Sequence, residues 1–225
     1  MSELEKDLAA LANGEKLEHF RLFLQQENEK YNLTALTQAR EVRSKHFYDS
    51  LFAAPLLPHG AKVCDVGSGA GLPLIPLALA RPDCAFTGVD ATEKKVAFIN
   101  AACALLDLDN CRAVHMRAED MCRQNRGAFD AVTARGVAEL ATLAEYCLPL
   151  LREGGELIAY KGPLAEQELE EAQKALQVLG GRAKNVLSYS LPTGEERRLI
   201  EIEKVRPTPE KYPRGGNKPR LKPIK

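Results

Sequence analysis

The residues best suited to chemistry lie between Val63 and Leu72, in the run V-C-D-V-G-S-G-A-G-L. A strand-like apolar stretch meets an acid at Asp65, and Gly67, Gly69 and Gly71 then lead straight into a helical pattern. Without Cβ atoms such a turn can be tight and can admit a ligand close to its backbone. The helix beyond it offers free N–H groups to a polar or anionic group. A dinucleotide site would read GxGxxG, but Leu72 stands where that spacing puts its third glycine. The observed GxGxG favours S-adenosylmethionine, which has no pyrophosphate to cradle, over NAD. A purely structural turn is the weaker alternative, since clustered glycines weaken a fold that makes no use of them.

Three further groups sit at the ends of apolar runs. Asp90 closes G-V-D, where an acid can accept both hydroxyls of a ribose. Its alternative is a helix N-cap, with Thr92 as the rival cap. In R-A-E-D (Arg117–Asp120), a carboxylate could accept from an adenine amine while a neighbouring backbone N–H addresses the ring; an acid in a helix first turn is the plainer reading. In T-A-R-G (Thr133–Gly136), Arg135 could pair with a cofactor carboxylate or a substrate phosphate, or form a surface ion pair. An [N/D]-P-P-[Y/F] stretch, frequent in amino-group methyltransferases, is missing. Cys147 precedes Leu148-Pro149 within a helical pattern, which is wrong for the nucleophile of a cytosine-C5 enzyme.

These groups need strand ends to hold them. Strands are expected at Ala61–Val66, Cys84–Val89, Cys111–His115, Phe129–Thr133 and Glu156–Lys161. Helices are expected between them, at Leu72–Ala80, Glu93–Leu106, Val137–Leu151 and Leu164–Leu179. That alternation implies a parallel sheet covered on both faces. Two more β-like stretches, Ala183–Leu191 and Arg197–Val205, flank Pro192-Thr193-Gly194, predicting a closing hairpin with at least one antiparallel strand. The fold class expected is α/β: a Rossmann-like, seven-stranded, mostly parallel sheet of the class I methyltransferase type. Ahead of it the chain reads as a helical extension. Ser2 and Glu5 form a capping box before Leu4, Leu8 and Leu11; a second helix runs from about Glu15 to Lys30; a third begins near Ala39 and stops before Pro55. The domain division is 1–59, helical extension; 60–205, methyltransferase domain; 206–225, a basic proline-rich tail.

With 45% hydrophobic and 28% charged residues, the 225-residue chain has the composition of a soluble globular protein. Its six cysteines show no CxxC spacing and no accompanying histidine cluster, so no metal or redox site is expected; buried thiols in a reducing cytosol are. The acidic, amphipathic start is wrong for a signal peptide, and the longest apolar run, Leu72–Ala80, is interrupted by prolines and too short to span a bilayer. A cytoplasmic location with no membrane partner is expected. Zero net charge hides an asymmetry: from Lys204 onward there are eight Lys or Arg against the single acid Glu210, together with five of the thirteen prolines. Such a strip cannot build a core but can follow a phosphate backbone, or it is simply a solvated end.

Taken together, the motifs resemble the glucose-inhibited division protein B family, also called RsmG. The resemblance runs through Y-N-L-T-A (Tyr31–Ala35), H-F-Y-D-S-L (His46–Leu51), D-V-G-S-G-A-G-L-P-L-I-P-L (Asp65–Leu77), Ala134-Arg135, Y-K-G (Tyr160–Gly162) and the Y-P-R of Tyr212–Arg214 leading to K-P-I. Leu74 stands where the family often has glycine and Gly136 where it often has alanine. The resemblance implies methyl transfer from S-adenosylmethionine to N7 of a guanine in the 530 loop of 16S rRNA (guanine 527 in rRNA numbering). It also implies cofactor contacts at Gly67, Leu72, Ala118, Glu119 and Arg135, while Gly69, Gly71 and Asp90 follow from the general fold. The partner would be 16S rRNA or the small subunit, met by a monomer. Guanine N7 has a lone pair and no proton, so no catalytic base is expected and the catalytic residues stay unassigned. Alignment of nucleophile, methyl carbon and sulfur carries the rate, worth up to about 7–11 kcal/mol. His46 could stack on the guanine, although a satisfied structural histidine is the plainer reading. The alternatives are a non-catalytic RNA-binding module of the same fold, or methylation of another RNA, a protein or a small molecule.

Overall fold

A single seven-stranded sheet in the order β3-β2-β1-β4-β5-β7-β6 organises the chain. The computed structural model describes residues 3–225. The strands are β1 (Lys62–Val66), β2 (Ala85–Asp90), β3 (Cys111–His115), β4 (Phe129–Arg135), β5 (Leu151–Lys161), β6 (Gly181–Ser190) and β7 (Glu196–Lys204). All neighbouring pairs from β3 to β5 are parallel. β7 enters antiparallel between β5 and β6, closing the sheet with the expected hairpin. The turn is made at Leu191–Glu195, with Gly194 at φ +96°.

Side chains alternate across the buried strands, as the pleat requires. Val63, Ala131 and Ile158 point into one core, and Cys64, Val132 and Leu157 into the other. Helices α1 (Glu3–Ala12), α2 (Glu15–Tyr31), α5 (Leu74–Ala80) and α6 (Glu93–Leu105) cover the first core. Phe20 locks the helical extension onto it, stacked 5.6 Å from Phe47 and tilted 6.2 Å from Phe98. Helices α7 (Ala118–Gln124), α8 (Leu140–Cys147) and α9 (Ala165–Leu179) cover the second. All six cysteines are buried and free. Among the described residues, no helix is long and apolar enough to cross a membrane.

Three details depart from the sequence reading, and one expectation is left aside. The Ser2 cap lies outside the described residues. β5 begins at Leu151 rather than Glu156, because Leu151 pairs with Phe129 ahead of a register shift in β4. The helix expected over Val137–Leu151 is only α8, followed by a 3-10 turn at Leu148–Leu150 where Pro149 lacks the amide that would extend it. The third helix is composite: α3 (Ala39–Glu41) and α4 (Asp49–Leu51) are joined by a π-helical run, Val42–Tyr48. Such wide turns recur at functional sites.

The basic tail is not a free strip. Thr208, Pro213 and Pro219 are buried. Arg214 grips the carboxylate of Glu145 on α8 with Nε at 3.0 Å and Nη2 at 2.7 Å, and its own amide adds a bond of 2.7 Å. Buried Lys204 donates to the carbonyls of Leu148 and Leu179 and to the Thr208 hydroxyl, fastening the start of the tail; burial pulls its pKa down to about 8. Residues 206–225 therefore form a strap across the second core, ending in the short α10 (Lys218–Leu221). The Glu145 side chain is 1% exposed, so it cannot recover water if its partner is removed. Arg214→Met is expected to cost about 3–5 kcal/mol in urea unfolding, with Glu145→Gln in the same chain restoring part of it.

Candidate cofactor and substrate site

The strand order reverses between β1 and β4, and in open α/β sheets ligands bind at the carboxyl ends flanking such a point. The glycine loop leaves β1 there and is fastened to the end of β2. The amides of Gly67 and Ser68 donate to the Val89 carbonyl at 2.8 and 3.1 Å. The Ser68 hydroxyl donates to the Asp65 carbonyl and accepts from the Val89 amide. Gly67 has φ +73°, and a Cβ there would lie 2.7 Å from Cγ2 of Val137, so only glycine fits.

A cavity of roughly 510 Å³ opens beside this loop. Of the residues singled out from sequence, Gly67, Asp90, Ala118 and Glu119 line it. Asp90 does two jobs: its carboxylate accepts the amides of Gly69 at 3.0 Å and Thr92 at 2.8 Å, holding the loop and the start of α6. Each oxygen keeps a further lone pair for a ligand hydroxyl. Thr92, not Asp90, is the N-cap position of α6. Gly71 and Leu72 stand behind the loop. A Cβ at Gly71 would meet Ile75 Cδ1 at 2.7 Å, and Leu72 is buried in the first core.

Arg135 faces elsewhere. It lines a second cavity of about 450 Å³ with Asp49, Glu139, Tyr160, Lys161 and Arg197. Gly136 and Ala138 border that cavity while Val137, between them, borders the first. Arg135 donates to the Asp49 carboxylate at 2.9 Å and to the Lys45 carbonyl at 3.2 Å. This is a half-buried pair rather than a surface one, because Asp49 also receives the buried Tyr189 hydroxyl at 2.7 Å. His46 contacts Thr34 Oγ1 at 2.7 Å through Nε2, and Nδ1 faces the Lys45 carbonyl at 3.2 Å. Burial, with Arg135 nearby, pulls its pKa down to about 4, so it is neutral at physiological pH.

Sequence reasoning gave no role to Asp49, Lys161, Arg197, Val137, Tyr146, Asn217 or Arg220, all of which line one cavity or the other. Asp49 and Lys161 lie inside quoted motifs, which was a usable signal. Asn217 and Arg220 reach the first cavity only because the strap folds back, and no local pattern announces that. Among the described residues there is no His, Cys, Asp and Glu cluster able to hold a metal.

The groups present fit an S-adenosylmethionine site. Asp65 is fully buried beneath the loop, and its Oδ2 has no hydrogen-bond partner, while Oδ1 accepts the Thr133 hydroxyl at 2.7 Å. A buried carboxylate oxygen without a donor is costly unless a ligand supplies one. Together with the glycine cradle and the acids at β2 and α7, it suits a ligand carrying an amine, a ribose and a purine.

A seven-stranded sheet of this order, with one reversed strand and a glycine loop at the switch point, is the Rossmann-like fold of the class I methyltransferases. Solved structures share that fold. A geranyl diphosphate methyltransferase in complex with SAM superposes with a TM-score of 0.55 at 16% identity, covering 69% of this chain and 84% of that one. A mutant 16S rRNA (adenine(1408)-N(1))-methyltransferase from Catenulisporales acidiphilia gives 0.54 at 17% identity, covering 71% and 91%. The family model GidB, rRNA small subunit methyltransferase G, matches residues 13–200, and the chain belongs to that family. The ribosomal RNA small subunit methyltransferase G of Lactobacillus helveticus is 47% identical over 99% of this chain and 96% of its own length. That of Deinococcus deserti is 45% identical over 90% and 85%.

Burial raises the Asp65 pKa from the ordinary 3.8 to about 6, against the lowering effect of Thr133 and Ser68. A folded-state pKa above the unfolded one means that Asp65 favours the fold fully below about pH 4 and loses that contribution as pH rises through about 6. Asp65→Asn keeps an acceptor for Thr133 and removes the loss. In the ligand-free protein the variant should match wild type near pH 4 and exceed it above pH 7 by roughly 2–3 kcal/mol. Urea unfolding between pH 4 and 8 reads this directly, and parallel stability curves would show that Asp65 does not titrate.

Proposed function

We propose that this methyltransferase transfers a methyl group from S-adenosylmethionine to N7 of guanine 527, in the 530 loop of 16S rRNA. The observation that carries the reading is the pair of adjoining cavities parted by Gly136–Ala138, one lined by the glycine loop and acids, the other by Arg135, Lys161 and Arg197. Near-full-length likeness to the small-subunit methyltransferases supports the choice of RNA. When bound, the cofactor supplies an electrophilic methyl group on a sulfonium.

The chain's own residues then divide the work. Asp90 accepts the ribose hydroxyls and Glu119 the adenine amine, with the amide at Ala118 addressing the ring. Gly67 and Gly69 let the ligand approach the backbone, while Gly71 and Leu72 set the loop from behind. Asp65 receives the donor that its free oxygen lacks. Arg135, kept in place by Asp49, offers a guanidinium at the second cavity for a carboxylate or phosphate. No side chain has to remove a proton, since N7 carries none; neutral, doubly bonded His46 is a structural support. In this reading residues 60–205 carry the transfer, residues 1–59 are a helical extension, and residues 206–225 are an appended strap. The protein works as a cytoplasmic monomer on small-subunit RNA.

Incubation with tritium-labelled cofactor and either deproteinised 16S rRNA or intact small subunits should place label at guanine 527. Asp90→Ala should lower transfer by at least about tenfold, since it removes a hydrogen-bonded charge on the order of 1.5–3 kcal/mol. Cofactor binding without transfer to any RNA would sink the rRNA reading. RNA binding that ignores the cofactor would favour a non-catalytic module.

A further inference from the structure

The cofactor cavity has a wall that no strand or β–α loop supplies. Asn217 and Arg220, both from the strap, line it beside Val137 and Tyr146. We infer that Asn217 and Arg220 are cofactor-binding residues, closing the purine end of the pocket.

The strap is held where such a role needs it. Arg214 is anchored on Glu145. Pro219 is buried, and its carbonyl accepts the Thr142 hydroxyl at 2.9 Å. Arg220 itself donates to the Val137 carbonyl at 3.0 Å, tying it to the residue that packs over Gly67. That bond uses one of five guanidinium N–H donors and a second contact goes to the Tyr146 hydroxyl, which leaves donors over for a ligand. The purine end is identified by the neighbours. Ala118, Glu119 and Tyr146 share this cavity with Arg220. Burial pushes the Tyr146 hydroxyl up; Glu119 adds to the effect and Arg220 opposes it, so all three sit within electrostatic reach. Adenine presents a donor, its exocyclic amine, beside a ring-nitrogen acceptor. Glu119 and Arg220 offer the matching acceptor and donor. A guanidinium can also lie flat on a purine face, which an ammonium cannot.

The inference rests on the pocket being the S-adenosylmethionine site, and calorimetry separates the two claims. S-adenosylhomocysteine and adenosine are titrated into wild type, Arg220→Ala, Arg220→Lys, Asn217→Gly and Lys218→Ala. Glycine is chosen at 217 because that residue has φ +61°. Lys218 is exposed on the same segment and controls for lost charge. Arg220→Ala should weaken both ligands about tenfold, as loss of a charged hydrogen bond does. Arg220→Lys should recover little of this, Asn217→Gly should show a smaller loss, and Lys218→Ala none. Equal thermal melting of the free proteins confirms that folding is intact, and the adenosine arm reports the purine end without the methionine moiety. Wild-type-like affinity in Arg220→Ala overturns the inference while leaving the pocket assigned. Absence of binding by wild type overturns the pocket assignment, and the inference with it.

Discussion

The fastening of the glycine loop to the end of β2 is the constraint on which the site depends. Parallel pairing sets Asp65 beside Gly88 and Thr133, and from there the loop has one course. Two amides share the Val89 carbonyl, Ser68 bridges the strands, and Asp90 takes the amide of Gly69. Gly88 completes the fit, since a Cβ there would lie 2.7 Å from the Ser68 hydroxyl. The loop, Asp90 and the buried Asp65 below are thus one hydrogen-bonded unit, and a change in any of them moves the others.

Around that unit the protein carries more buried charge than stability alone recommends. Asp65 lies unpaired in the sheet centre, Glu145 is matched by Arg214, and Lys204 is held by carbonyls and a hydroxyl. Replacing buried polar groups by apolar ones is often neutral or stabilising, so each needs another explanation. For Asp65 the proposed one is a ligand that supplies the donor its Oδ2 lacks. For Glu145 and Lys204 it is attachment of the strap, which carries two residues to the cofactor cavity. Fold alone does not dictate this chemistry: the [4+2]-cyclase SpnF shares the architecture with a TM-score of 0.57.

What the sequence disclosed followed the range of the interactions. Strand positions and the hairpin were legible because alternation and turn residues are local. The glycine loop was legible because its steric demand is written in consecutive residues. The early start of β5 was hidden by Gly154 and Gly155, which interrupt the apolar pattern although the strand continues through them. The division of Arg135 from the other site residues was hidden too, because its direction is set by Asp49, 86 positions away. The strap was the least legible. Its composition reads as solvated, yet its burial is decided by partners on α8 that only the folded chain brings near.

The π-helical run Val42–Tyr48 carries a consequence of its own. A five-residue hydrogen-bond step holds one residue more than the α-helical step, so the backbone before and after it is out of phase by about 100° relative to a regular helix. Asp49 comes immediately after this offset and meets Arg135 because of it. The segment is therefore a length gauge. Trimming one residue from it would let the helix regularise and turn the Asp49 carboxylate away from its guanidinium, although every side chain named in the site would still be present.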